Sequence, residues 1–206
     1  MAMYAIKNFS IIVCLMAFNQ AISQVKPANY LDANGLRQGF WEHYMVLKNG
    51  TKYLHFLGYY KDGHKNGRCI DFRENGKLYT EGYYTKDTID GERKVYRENG
   101  SLYQIENYKM GKLHGWRKFF NLEGKIVDEQ EWKDGKENGV YRLYHESGRL
   151  DAESYHINGI ENGTRKIYED KPSNHCIREF DFVNGKMVKS RYYENGVLVR
   201  ESAPDN

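Results

Sequence analysis

The sequence predicts an all-β chain, a repetitive antiparallel β-meander strip of about six to seven hairpins, each 24 residues long. Three observations carry this prediction. Gly67, Gly91, Gly115, Gly139 and Gly163 recur at steps of 24, and so do the aromatics Phe72, Tyr96, Phe120, Tyr144 and Tyr168 and the glycines Gly76, Gly100, Gly124 and Gly148. Self-similarity at a fixed period marks stacked copies of one supersecondary unit. Ten of the twenty glycines follow an asparagine, and Asn-Gly offers the positive φ that tight hairpin turns need. No stretch holds apolar residues at helical spacing over three turns, so helices should be minor.

In chain order, residues 1–23 read as a secretory signal peptide. Lys7 supplies the positive charge, residues 9–18 the apolar stretch, and Ala21-Ile22-Ser23 a small-x-small cleavage site before Gln24. Ten residues of helix cover about 15 Å, half the apolar thickness of a bilayer, so no transmembrane segment is expected in the mature chain. A lipoprotein route through Cys14 is disfavoured because Val13, not a small residue, precedes it. The expected location is therefore the periplasm or the medium. Residues 24–30 form a short linker, residues 31–201 the repeat array, and residues 202–206 a tail.

The first copy opens at Gly39-Phe40-Trp41. It is 28 residues from Gly39 to Gly67, which suggests two stretched turns. Each regular copy holds two short runs rich in Tyr, Val and Leu, separated by glycine-bearing turns, the pattern of a hairpin. Glu74-Asn75-Gly76, Glu98-Asn99-Gly100 and Glu194-Asn195-Gly196 mark one turn, and Gly63, Gly111, Gly135 and Gly159 the other. The opening glycine is expected to make room for an aromatic ring from a neighbouring strand, with Tyr84, Tyr108 and Trp132 the candidates. In the copy from Gly163 the turn is replaced by residues 169–176, about two residues longer. The final pair around Gly196 lacks the leading glycine.

Charge is patterned too. Arg93-Lys94, Arg117-Lys118, Arg142 and Arg165-Lys166 fall in first strands, and Glu81, Glu106, Glu129, Glu131 and Glu153 in second strands. Opposed across a hairpin they would form a charge-paired, solvated face. Removing residues 1–23 leaves 30 basic and 28 acidic residues, since only Lys7 of the 31 and none of the 28 is lost. Such balance argues against a nucleic-acid binder and disfavours an anionic-lipid surface as partner. Cys69 and Cys176 lie about four and a half copies apart, something like 40 Å at about 4.8 Å per strand, so two free thiols or one intermolecular bridge are expected.

Reactive residues are scattered. The seven histidines make no metal-binding motif, and two distant cysteines are too few for zinc. His175-Cys176 could form a nucleophile–base pair only if neighbouring residues faced the same way, which a strand forbids. No phosphate-binding loop or nucleophile elbow is present. The sequence therefore predicts no enzyme, no metal and no cofactor.

The unit shown by Gly115-Trp-Arg-Lys-Phe-Phe120 with Asn121-Leu-Glu-Gly124-Lys-Ile126, and by Trp132-Lys-Asp-Gly135-Lys-Glu-Asn-Gly139, resembles the MORN repeat in its variant bacterial form. The likeness runs over roughly residues 31–201. It implies an elongated, twisted strip that serves as an interaction surface for an as yet unknown protein partner in the cell envelope. Scaffolding, protein binding and, in some eukaryotic members, attachment to acidic lipid headgroups are the roles of that family, and some bacterial variants are antitoxins. A toxin's antitoxin or immunity partner, or a lipid-headgroup binder, are thus the alternatives. Residues that build the strip cannot be the site, so binding is expected where the period breaks, at Phe40, Trp41, His175 and Cys176.

Overall fold

The computed structural model describes residues 28–203; the expected signal peptide and most of the C-terminal tail lie outside them. The strands are β1 (Tyr30–Leu31), β2 (Arg37–Val46), β3 (Lys52–Lys61), β4 (His64–Phe72), β5 (Leu78–Thr85) and β6 (Thr88–Tyr96). They continue with β7 (Leu102–Lys109), β8 (Lys112–Phe120), β9 (Ile126–Lys133), β10 (Lys136–Tyr144) and β11 (Leu150–Ile157). The array ends with β12 (Ile160–Glu161), β13 (Gly163–Tyr168), β14 (Cys176–Val183), β15 (Lys186–Glu194) and β16 (Val197–Ser202). All belong to one open antiparallel sheet in which each strand follows its chain predecessor; only the short β12 sits off the path, against β11. This is the all-β meander that the 24-residue period predicts.

One repeat is nine residues of strand, a five-residue loop, eight of strand and a two-residue turn. The two-residue turns have positive φ at both central positions, as at Asp62/Gly63, Met110/Gly111 and Asp134/Gly135. That backbone matches the right-handed twist of the flanking strands. In the five-residue loops only the glycine has positive φ, as at Gly76 and Gly100. The sequence grouped Glu194-Asn195-Gly196 with these loops, but both Asn195 (φ 51°) and Gly196 are left-handed, so it is a two-residue turn.

Both edges of the strip are stitched from copy to copy. The Gly111 amide donates to the Ile89 carbonyl (2.9 Å), Gly135 to Leu113 (2.9 Å) and Gly159 to Glu137 (2.7 Å). On the other edge an Arg73 Nη2 donates to the Tyr96 carbonyl at 2.7 Å. These bonds tie each turn to its neighbour and set the stacking of the array.

The opening glycines have a backbone reason. Opposite Tyr83, strand β6 carries two extra residues, because Gly82 pairs with Arg93 while Tyr84 pairs with Ile89. The same two-residue bulge recurs in β4, β8 and β10. Its central glycine has φ of 112° at Gly67 and Gly91, 95° at Gly115 and 127° at Gly139. Tyr84, Tyr108 and Trp132 do pair with Gly67, Gly91 and Gly115. A side chain at the glycine would first meet Tyr59, Tyr83 or Asn107 on the preceding strand, at 3.4–3.5 Å. The expectation that ring room explains the glycine is therefore corrected: the left-handed bulge demands it.

The first copy also differs from expectation. Its loop, closed by Leu47 N to Thr51 O (2.9 Å), and its turn are of ordinary length. The four extra residues lengthen the strands instead, ten residues each in β2 and β3. Those longer strands bury the main apolar cluster, Phe56, Leu57, Cys69 and Ile70. Elsewhere the buried side chains are polar: Thr80, Gln104, Glu106, Glu129 and Ser154. No second layer covers the sheet among the described residues, so backbone pairing and cross-strand contacts carry most of the array.

Candidate functional site

Residues paired directly across strands point to the same side of a sheet. One face therefore carries the row Glu81, Lys94, Ile105, Lys118, Glu129, Arg142, Glu153, Lys166, Glu179, Arg191 and Glu201. Lys118 lies 3.2 Å from Glu129, and Arg142 is 2.7 Å from Glu153 and 3.2 Å from Glu129. The aromatic series runs beside it: Tyr96 donates to Glu81 (2.7 Å), Tyr144 to Glu129 (2.8 Å) and Tyr193 to Glu179 (2.8 Å). Burial pushes the Glu81 and Glu129 carboxyls up, yet hydrogen bonds from Arg68 and Tyr96, and from Tyr144, Lys118 and Arg142, leave both below the usual range. Burial and the Glu129 carboxylate push the Tyr144 phenol up to about 12.

Glu106 departs from the series that the sequence suggested. The 24-residue phase places Ile105, not Glu106, in line with Glu81 and Glu129, so Glu106 lies on the opposite face. There it is 5 % exposed, between Arg93 (2.9 Å) and Arg117 (3.5 Å), and accepts from Gln104 and Tyr108. With Glu129 7 % exposed, the charge pairing is partly buried rather than a solvated face. An embedded carboxylate with these partners specifies register, because a one-residue slip would strand it.

The residues expected to bind are spread apart. Phe40 and Trp41 fall on opposite faces, as neighbours in a strand must. Phe40 packs edge-on to Tyr59, and Trp41 edge-on to Tyr60 at 6.0 Å. Arg37 spans the Trp41 and Tyr60 rings at 4.9 and 5.2 Å, and Lys65 sits 4.6 Å over Phe56. Together with His43, His55 and Asp71 these residues line a shallow depression of about 380 Å³. The sequence pointed to Trp41 but missed Arg37, four residues earlier on the same face of β2, and Phe56, Tyr60 and Lys65, which strand pairing gathers. Tyr60 alone carried a signal, its step of 24 to Tyr84 and Tyr108.

His175 and Cys176 do not act on each other. His175 Nδ1 faces Glu169 at 3.6 Å, while the Cys176 thiol donates to the Arg178 carbonyl at 3.3 Å. Burial pushes the Cys176 thiol up, away from the reactive thiolate. Cys69, almost fully buried, is pushed up to about 11 by burial, and both cysteines are free thiols. Among the described residues no three His, Cys, Asp or Glu side chains gather as a metal site, and no helix is long and apolar enough to cross a membrane.

A single open sheet of stacked hairpins, both faces uncovered and its recurring residues engaged with one another, defines a repeat protein of the kind used for binding. A family model described as "MORN repeat variant" matches residues 65–86 and 89–110. These are the hairpins β4–β5 and β6–β7, so the chain is similar to the MORN repeat variant over those two hairpins, and β8–β9 and β10–β11 repeat their loops and turns. Comparison with curated proteins finds no significant match.

Proposed function

We propose that this chain is a non-enzymatic, exported protein-binding module that works in the cell envelope. The observation that carries this reading is the open sheet: two faces and a terminal edge stay available while the repeating residues are spent on holding the strip together. Separation of His175 from Cys176 and the thiols' raised pKa values favour binding over catalysis. The apolar leader with its small-x-small site supports export. Protein is favoured over anionic lipid because ten of the twelve arginines are already held by a carboxylate, carbonyl, hydroxyl or ring.

The test is affinity capture with the chain from Gln24 onward in envelope extract, alongside flotation with anionic vesicles. A discrete protein captured at stoichiometric yield, with no vesicle binding, supports the reading. Salt-sensitive flotation without a protein partner overturns it. Cell fractionation that leaves the chain in the cytoplasm overturns the export assignment.

A further inference from the structure

Two arginines have no partner among the described residues. Of twelve in the sequence, Arg178 and Arg200 alone among the described residues make no ion pair, side-chain hydrogen bond or ring contact. They sit in one cross-strand row, Arg178 on β14, Tyr192 on β15 and Arg200 on β16. At about 4.8 Å per strand the two guanidinium stems stand about 10 Å apart with the phenol between them. The row borders a depression of about 490 Å³ whose lining also includes Phe180, Ser190, Arg191 and Val199 and, among the described residues, no carboxylate. Earlier copies hold Thr80, Gln104, Asp128 and Ala152 at the position of Arg178 and Arg200. The cationic pair is therefore specific to this end of the strip.

The same end carries the open edge. β16 closes the sheet on one side, its six residues are all exposed, and Val197, Leu198 and Val199 are 65 %, 47 % and 50 % exposed. A free strand edge with apolar side chains is a template for another strand. Interior rows show which partner fits, since a cation on one strand meets a carboxylate on the next, as in Arg142 with Glu153. A second copy fits badly. Antiparallel two-fold pairing centred on Val199, Arg200 or Glu201 sets Arg200 against Leu198, Arg200 or Ser202, and none supplies a carboxylate.

We infer that the Arg178–Tyr192–Arg200 row and the adjoining β16 edge form a docking site for an acidic extended segment of a partner protein. The segment adds as a further strand, its main chain pairing with β16 and one of its carboxylates standing opposite Arg200, at the open end of the row that Tyr192 and Arg178 extend. This rests on the protein-binding reading above and locates it.

The experiment measures fluorescence anisotropy of a labelled Thr-Glu-Val-Glu-Val-Glu peptide and its Lys-for-Glu counterpart against the chain from Gln24 onward. The acidic peptide should bind at least tenfold more tightly, and hydrogen exchange should show new protection in 197–202. Arg178→Gln with Arg200→Gln should weaken it at least tenfold, and Arg200→Glu should reverse the preference, all with unchanged circular dichroism. Equal binding of the two peptides, or acidic-peptide binding indifferent to these variants, overturns the site. So does protection of β16 by self-association in the absence of peptide. If the double variant still captures the protein partner from extract, this site fails while the binding reading stands; if the parent chain captures none, that reading fails.

Discussion

At the residue scale the bulge glycines set the tightest limits. Gly115 has φ 95°, and a Cβ there would lie 3.4 Å from the Asn107 Cβ. Gly115→Val should cost about 1–3 kcal/mol for the disallowed backbone, while Lys112→Ala on an exposed position should stay within about 0.5 kcal/mol. Urea denaturation of both variants checks this, and equal midpoints would refute the bulge account. The paired carboxylates set a pH limit. Glu81 and Glu129 titrate below their unfolded value of about 4.3, so their contribution is present above that pH and is lost as the pH falls through the lowered folded values. Stability should be flat from about pH 7 to pH 5 and fall below about pH 4. Glu129→Gln should flatten that fall and lower the urea midpoint at pH 7.

At the element scale the hairpin is defined by its two kinds of turn. The turn at Lys86 (φ 48°) and Asp87 (φ 63°) departs from the rule that glycine takes the second position. Asp87 compensates by accepting from the Lys65 amide (2.7 Å) and meeting His64 at 2.6 Å. Lys86 has no such compensation in its backbone strain. Lys86→Asn should therefore stabilise by about 0.5–1 kcal/mol, because asparagine tolerates the left-handed region better. A rise in Tm checks it; a fall would mean that the lysine side chain makes a contribution absent from this account. The last hairpin shows the converse. Where Lys189 stands in place of the opening glycine, the bulge shrinks to one residue, between Asp181–Lys189 and Phe182–Met187.

At the scale of the whole molecule the sheet is nearly one-dimensional, each hairpin touching only its neighbours. Stability should then scale with the number of copies. Deleting residues 91–114 joins Asp90 to Gly115 in the same phase and should leave a folded meander with a smaller denaturant m-value. Circular dichroism and urea melts test this, and loss of the β signal would show coupling beyond nearest neighbours. Much of the architecture was legible in advance, since the period, the hairpins and the opposed charges all follow from residues 24 apart. Bulges were not legible, because two extra residues in one strand of each regular copy leave the period untouched. The depression around Trp41 was not legible, since Phe56 and Tyr60 join the Trp41 face only by pairing of β2 with β3, although Arg37 lies four residues before Trp41 on the same strand.

The sequence by itself determined the repeat, the strand count per copy, the turn positions of the regular copies and the uncoupled cysteines, because each depends on local backbone preference or on counting along the chain. Tertiary structure decided what depends on register. It set Glu106 between Arg93 and Arg117, moved the first copy's extra residues into its strands, and seated Phe40 against Tyr59 and Trp41 against Tyr60. It also left Arg178 and Arg200, alone among the described arginines, without a partner beside the open β16 edge. A one-residue change of register exchanges the faces of a strand, so no reading along the chain could assign those partners before the pairing was known.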